Sequence, residues 1–338
     1  MRRIPIIHGS VLIPAVAILD EIGASTDELR RRERLPRVGS ATATTYIPLR
    51  SAFAFTKNAA DAQGIQEFGY RIAERVQLEG AGRWGPRVST AVTLHHAIQI
   101  MSDWIGLDMP AVRIGLERRG DREWLWREHR PFGRDMPGYS LGQQYILRVL
   151  VDVVRRVEGP DWCPTRLELD SRAGEWGAQR PDFLGDAQIQ FDAARIAIEL
   201  PKGSLRRRLS IPGPTGSGPA PAGLRKLSEP PASDLKGSLH QILKGMVYDY
   251  PLTPELGAKI LSCSERTLRR RLASEATSWR EVADRVRLET ALDLMDDPSV
   301  SMADVAGLLG HSQYPHFYRA FKRWTGESPG AYRKNARA

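Results

Sequence analysis

The sequence predicts two parts of different class. The first is α+β, helices with a small antiparallel sheet. The second is all-α and contains two helix-turn-helix units. Three observations predict this. Before about residue 200, apolar side chains at three-to-four spacing mix with short alternating runs, whereas after 234 helical spacing continues almost throughout. Between the two, residues 201–233 hold Pro212-Gly213-Pro214, Gly216-Ser217-Gly218-Pro219, Pro221 and Pro230-Pro231, a composition that sustains neither a helix nor an inner strand and predicts a flexible linker. Charge is also divided. The net charge is +9, yet residues 1–200 hold 27 Lys+Arg against 26 Asp+Glu, so the excess lies in the last 138 residues. A basic part joined to a near-neutral part is the footprint of a polyanion-binding module attached to something else.

The 338-residue length suits two cores, and a composition of 41% hydrophobic and 26% charged residues allows each part to bury one. Cys163 and Cys263 belong to no C-x-x-C pair, which argues against a disulfide framework or a zinc site and fits a reducing cytoplasm. No run approaches the ~20 apolar residues needed to span a membrane. Residues 4–19 are fairly apolar, but Pro5, His8, Gly9 and Pro14 interrupt them, so they read as a tail leading into a first helix and not as a signal peptide.

The elements follow in chain order. Residues 88–106 read as helix. Residues 111–117 and 123–128 alternate as paired strands around a Gly120-Asp121 turn. Residues 139–157 place Tyr145, Ile146, Val149, Leu150, Val153 and Val157 on one helical stripe. Residues 165–169 and 187–191 read as further strands. His95 and His96 are adjacent, about 100° apart on a helix, and share no metal-binding face. Neither a phosphate-cradling Gly-rich loop nor a G-x-S-x-G nucleophile context is present. The residues therefore call for no metal, no cofactor and no catalysis. Trp124 and Trp126, two apart on a strand, share one face, as core packing or as a pocket wall; with Trp84 they are the candidate ligand residues.

After the linker, residues 255–261 form a short helix on Leu256, Ile260 and Leu261. Ser262-Cys263-Ser264 is a turn whose Ser264 suits a helix N-cap. In the next helix Leu268 and Leu272 face inward, and Arg266, Arg269 and Arg270 share another face at i, i+3 and i+4. Three guanidiniums on one face suit the major groove of DNA, where Arg pairs in bidentate fashion with guanine. Residues 279–295 predict a connecting helix. The design then repeats. Ser301 with Asp304 resembles a capping box, Val305, Leu308 and Leu309 form an apolar stripe, Gly310 closes the helix and His311-Ser312 is the turn, with Ser312 as N-cap. In residues 313–324, Phe317, Phe321 and Trp324 are core, while Tyr314, His316 and Arg319 look outward. Arg271, Lys322 and Arg323 suit phosphates.

Residues 235–334 resemble the DNA-binding domain of AraC/XylS-type transcription regulators. The resemblance is carried by Ser264-Glu265-Arg266-Thr267-Leu268-Arg269-Arg270-Arg271-Leu272, Val286-Arg287-Leu288-Glu289-Thr290-Ala291, Val305-Ala306-Gly307-Leu308-Leu309-Gly310, and the run from Phe317 through Pro329. It implies seven helices, with a long one joining two units that read successive major grooves. It places base reading on Arg266, Arg269 and Arg270 in the first unit and on Tyr314, Pro315, His316 and Arg319 in the second. Pro315 departs from the polar residue usual there and offers a base no hydrogen bond, so the first unit is expected to dominate specificity. Residues from about 12 to 205 resemble, on the shorter motifs Trp84-Gly85, the run 89–97 and Phe183-Leu184-Gly185-Asp186, the sensor domain of ornithine-utilisation-type regulators labelled "arabinose-binding". That implies effector sensing and dimerisation.

The sequence thus predicts a bacterial, cytoplasmic regulator that binds double-stranded DNA, nucleoid-associated when bound. Residues 1–200 would sense a small-molecule effector and residues 234–338 would bind DNA. A homodimer and contact with RNA polymerase belong to the same expectation. Two alternatives stay open: an enzyme fused to a DNA reader, and a regulator controlled by a protein partner without ligand.

Overall fold

The computed structural model describes residues 4–37, 45–76, 78, 80–129, 136–176, 180–210 and 229–335. The chain opens on β1 (Ile6–His8), then α1 (Ile13–Glu21) and α2 (Thr26–Arg32). β2 (Tyr46–Pro48) returns to pair antiparallel with β1 and leads into α3 (Leu49–Gln63) and α4 (Phe68–Val76). The helix expected over 88–106 is two: α5 (Gly85–Val88) and α6 (Leu94–Asp108), the second started by Thr93, whose hydroxyl accepts from His96 N. β3 (Val112–Arg119) and β4 (Arg122–His129) form the expected hairpin, followed by α7 (Tyr139–Glu158), β5 (Arg166–Glu168), β6 (Gln188–Gln190) and β7 (Ile196–Leu200).

The second sheet has the order β3-β4-β7-β5-β6. It is antiparallel as expected except at β5–β6, which pair parallel. Strand alternation gives it two faces. Ile114, Leu125, Leu167, Ile196 and Ile198 turn towards α6 and α7 and are fully buried in one cluster with them. Trp124 and Trp126 occupy the other face, where the guanidinium carbons of Arg119 and Arg195 lie 4.7 and 4.6 Å from the ring centroids. β7 and the β1–β2 pair carry no alternation to predict them: β1 and β2 are buried at all three positions, and β7 at four of five.

Of the segment expected as linker, residues 211–228 lie outside the described residues. Residues 201–210 pack on the N-terminal part. Leu209 N donates to Val92 O at 3.1 Å, Ser210 N donates to Arg156 O at 2.8 Å, and Arg207 pairs with Glu158 at 2.5 Å.

The C-terminal part is seven helices among the described residues: α8 (Leu235–Met246), α9 (Pro254–Ile260), α10 (Glu265–Ala273), α11 (Trp279–Met295), α12 (Met302–Leu308), α13 (Tyr314–Thr325) and α14 (Pro329–Asn335). Gly257 lets α9 approach α11 closely, since a Cβ there would sit 2.0 Å from the Trp279 ring. No described helix is long and apolar enough to cross a membrane.

The two parts touch through β1, β2 and α2. Ile4, Ile6 and Tyr46 belong to the hydrophobic core of the C-terminal helices, beside Leu239 and Leu243 of α8. Gly245 of α8 admits this contact, because a Cβ would lie 2.6 Å from Thr45 Oγ1. Arg37 N donates to Asp249 at 2.7 Å and the Tyr250 hydroxyl donates to Leu35 O at 2.9 Å.

Candidate DNA interface

The first helix-turn-helix unit is α9, the turn and α10. Thr253 caps α9, accepting from Leu256 N at 3.3 Å, and Pro254 stands where a missing N–H costs nothing. Ser262 takes the left-handed conformation (φ 49°) that turns the chain. Ser264 caps α10 as expected, accepting from Thr267 N at 3.2 Å. Leu268 and Leu272 are buried, which directs Arg266, Arg269, Arg270 and Arg271 outward, all exposed. Among the described residues none of the four is engaged in an ion pair. The face can meet a polyanion without first breaking an internal contact.

The second unit departs from expectation in three details. Ser301 and Asp304 do form a reciprocal capping box at the start of α12, but Leu308 is 45% exposed and the buried side is Val305, Ala306 and Leu309. The helical phase puts Leu308 outside once Val305 and Leu309 are fixed inward. Ser312 is not the N-cap of α13. Gln313 is, without a side-chain bond. A cap at Ser312 would need the N–H that Pro315 lacks. With the helix begun one residue later, Pro315 becomes its second residue, where no intrahelical partner is lost. Finally, Arg323 pairs with Asp284 of α11 at 2.8 Å, while Lys322 stays exposed.

Tyr314, Pro315, His316 and Arg319 all lie exposed on α13. The Tyr314 ring leans on Phe317 and Tyr318, with centroids 6.3 and 6.2 Å apart. Tyr318 is a third exposed ring system on this face that the sequence reading passed over, although its place one residue after a core Phe implied it. His311, in the turn, lies below the ordinary histidine value, first through burial and then through the nearby charges of Arg287 and His316.

The three candidate ligand tryptophans are not brought together. Trp84 is buried in the helical core of the N-terminal part, and Trp124 and Trp126 lie on the far face of the sheet. Two buried polar groups stand elsewhere in the N-terminal part. On the inner face of β4, Arg127 donates to Gln143 Oε1, and its Nε has no hydrogen-bond partner. Gln143 Nε2 donates to Asp170 at 2.9 Å, as does the Tyr139 hydroxyl at 2.5 Å. Burial lowers the Arg127 guanidinium and pushes the neighbouring His129 down to about 3. At the boundary between the two parts, Arg83 Nε pairs with Asp108 at 2.8 Å and its Nη2 donates to the Tyr46 hydroxyl at 2.7 Å. That hydroxyl in turn has Leu107 O (2.7 Å) and Glu229 O (3.2 Å) as acceptors for its single proton, the first the nearer. Burial alone would lower Arg83, but the Asp108 hydrogen bond and charge outweigh it and raise it. Arg127 was legible as an arginine in phase with Leu125; the Tyr46–Arg83–Asp108 group spans 62 residues of sequence and had no local signal. No three His, Cys, Asp or Glu side chains among the described residues gather as a metal site.

Comparison with known proteins gives a family for both parts. Residues 23–209 match the arabinose-binding domain of AraC transcription regulators, and residues 258–335 match a helix-turn-helix domain. The HTH-type transcriptional regulator VqsM of Pseudomonas aeruginosa is 30% identical over 165 residues, 47% of this chain and 50% of VqsM. The ornithine utilization regulator of the same organism is 39% identical over 80 residues, 24% of either chain. These two alignments therefore span half or less of each relative. The HTH-type transcriptional regulator VirS of Mycobacterium tuberculosis is 21% identical over 320 residues, 94% of this chain and 93% of VirS. Among solved structures, the transcriptional regulator CdpR from Pseudomonas aeruginosa aligns with a TM-score of 0.39 at 23% identity, covering 91% of this chain and 96% of that one.

Proposed function

The chain belongs to the AraC family of DNA-binding transcription regulators, with an N-terminal domain of the arabinose-binding type, and from that premise we propose that it reads a specific DNA site through α10 and α13 under control of a small-molecule effector. The observation that carries the reading is the outer face of α10: four exposed arginines on a capped helix whose leucines fix its rotation. Arg266, Arg269 and Arg270 read bases, and Arg271 and Lys322 hold phosphates. On α13, Tyr314, His316 and Arg319 add contacts, while Pro315 supplies shape alone. Seventeen residues of α11, at ~1.5 Å each, span about 25 Å, less than the ~34 Å of one DNA turn, so either the bound DNA bends or one unit contacts bases only weakly.

The effector acts on residues 1–200 of a homodimer in the bacterial cytoplasm. Ligand must favour one arrangement of the two parts over another, since equal affinity shifts nothing. Tyr46 is placed to transmit such a preference. Its ring lies in the core of the DNA-binding helices, and its hydroxyl bonds to Arg83 and Leu107 O of the sensor. The buried Arg127–Gln143–Asp170 group offers a polar effector internal partners. Promoter-bound protein would then meet RNA polymerase.

The test is enrichment of a genomic fragment pool by the full chain at two salt concentrations. Recovery of a short motif at both supports a sequence-specific regulator. Binding that is sequence-blind and disappears with salt would mean that the arginines only hold phosphates.

A further inference from the structure

Helix α11 joins the two helix-turn-helix units, and one carboxylate on it gathers charge from both sides. The Asp284 side chain is 18% exposed and faces three guanidiniums: Arg323 Nη2 of α13 at 2.8 Å, Arg287 Nη1 at 3.5 Å and Arg280 Nε at 3.7 Å. Arg287 also donates to Leu252 O at 3.4 Å. The same carbonyl accepts from Trp279 Nε1 at 3.3 Å, and it lies immediately before Thr253, the cap of α9. A polar chain thus runs from the reading helix of the second unit, through Asp284 and Arg287, to the entry of the first.

The units also share a hydrophobic core, which sets the face that each helix buries, but apolar contact is non-directional and leaves the tilt of one helix against the other to polar contacts. Hydrogen-bonded ion pairs between arginine and carboxylate fix direction. Direction has consequences here. α13 has 12 residues and is about 18 Å long. Pivoting it by about 10° moves its far end ~3 Å, nearly one base step of ~3.4 Å. We propose that Asp284 is a positioning residue that fixes the angle between the two reading helices, and so sets which spacing of two half-motifs the chain accepts. This rests on α10 and α13 being the readers. It has a second consequence: Arg323, held by Asp284, is withheld from DNA phosphate.

The experiment uses the full chain and the duplex that it selects from a random-sequence pool. Derivatives carry one or two base pairs inserted or removed between the half-motifs. The wild type is expected to lose about tenfold or more in affinity per change of spacing. Asp284→Ala and Arg323→Gln are expected to lose less than about threefold, with Asp284→Glu restoring the penalty. A partly exposed ion pair contributes little to stability, so the variants fold, as circular dichroism checks; should Asp284→Ala fail, Arg323→Gln carries the test. On a random duplex, Asp284→Ala should steepen the salt dependence by about one phosphate contact, because Arg323 is released, and Arg323→Gln should not. An unchanged spacing penalty in both variants, or a wild-type site with a single half-motif indifferent to spacing, overturns the proposal. Arg269→Ala run in parallel separates this from failure of the premise: if it leaves affinity for the selected duplex intact, α10 is not a reader.

Discussion

The two helix-turn-helix units share a plan and are held by different means. In the first, α10 enters on the Ser264 hydroxyl, packs on Leu268 and Leu272, and leaves four arginines exposed. In the second, α13 enters without a side-chain cap and packs on rings. Phe317 and Phe321 have centroids 5.6 Å apart, Tyr332 meets Phe321 edge-on at 5.6 Å, and Trp324 leans on the same ring. One of its cations is tied to α11. The residues that hold each helix are therefore separate from those it exposes. On the proposed reading, the first unit gives its outer face to recognition, and the second devotes more of its helix to packing and anchorage.

Core truncation gives the largest expected effect on this comparison. Phe321→Ala removes the ring at the centre of the aromatic group and should cost about 3–5 kcal/mol, against about 2–5 for Leu272→Ala in the first unit. Urea unfolding of the full chain measures both. A loss below about 1 kcal/mol for Phe321→Ala would mean that the rings are not what holds the second unit.

Recognition comes next. Arg269→Ala should reduce discrimination between the selected site and a mutated half-motif by about 1–3 kcal/mol, the worth of a bidentate contact to guanine. His316→Ala should change it less than about threefold, since Pro315 beside it offers a base no hydrogen bond and the first unit carries most of the discrimination. Competition binding with labelled duplexes decides. The reverse ranking would move recognition to the second unit.

Capping is smaller again. Ser264→Ala should destabilise by about 1 kcal/mol, whereas Ser312→Ala, which removes no cap, should stay within about 0.5 kcal/mol. Thermal unfolding of the pair tests whether the two helix starts differ as drawn.

Much of this was legible from residues alone, and the reason differs by region. Helices α10 and α13 announce themselves because Leu268 and Leu272, or Phe317 and Phe321, fix the phase and the exposed set follows from 3.6-residue geometry. The hairpin of β3 and β4 was readable because eight-residue strands give several alternations around Gly120. The contacts that join the two parts were not. Tyr46 meets Arg83 and Glu229, residues 37 and 183 positions away, and no periodicity encodes such a meeting. The start of α13 was misplaced by one residue because Ser312 is a good cap by type, and Pro315, three residues on, removes the N–H that the cap needs. The tryptophans are a related case. Shared strand phase gives a common face but not which face, and arginines cover the one they occupy.

The smallest effect concerns the turns. The second unit turns on His311, whose ring lies 5.8 Å from Phe317; the first turns on Ser262-Cys263-Ser264 and has no histidine. Burial and the charges of Arg287 and His316 hold His311 below its ordinary value of 6.5, with Asp284 opposing. The unfolded chain therefore binds this proton first as pH falls. The stabilisation is present in full above 6.5 and is lost as pH drops from there towards the folded value. Other depressed histidines, His8 at about 4 and His129 at about 3, add the same sign in the N-terminal part, so the wild-type profile alone does not isolate the turn. The difference between wild type and His311→Gln does. Between pH 7.5 and 5.5 the wild type should lose more of its thermal midpoint than the variant. Parallel profiles would mean that the second turn is as indifferent to protonation as the first, and that the two units differ in packing and recognition alone.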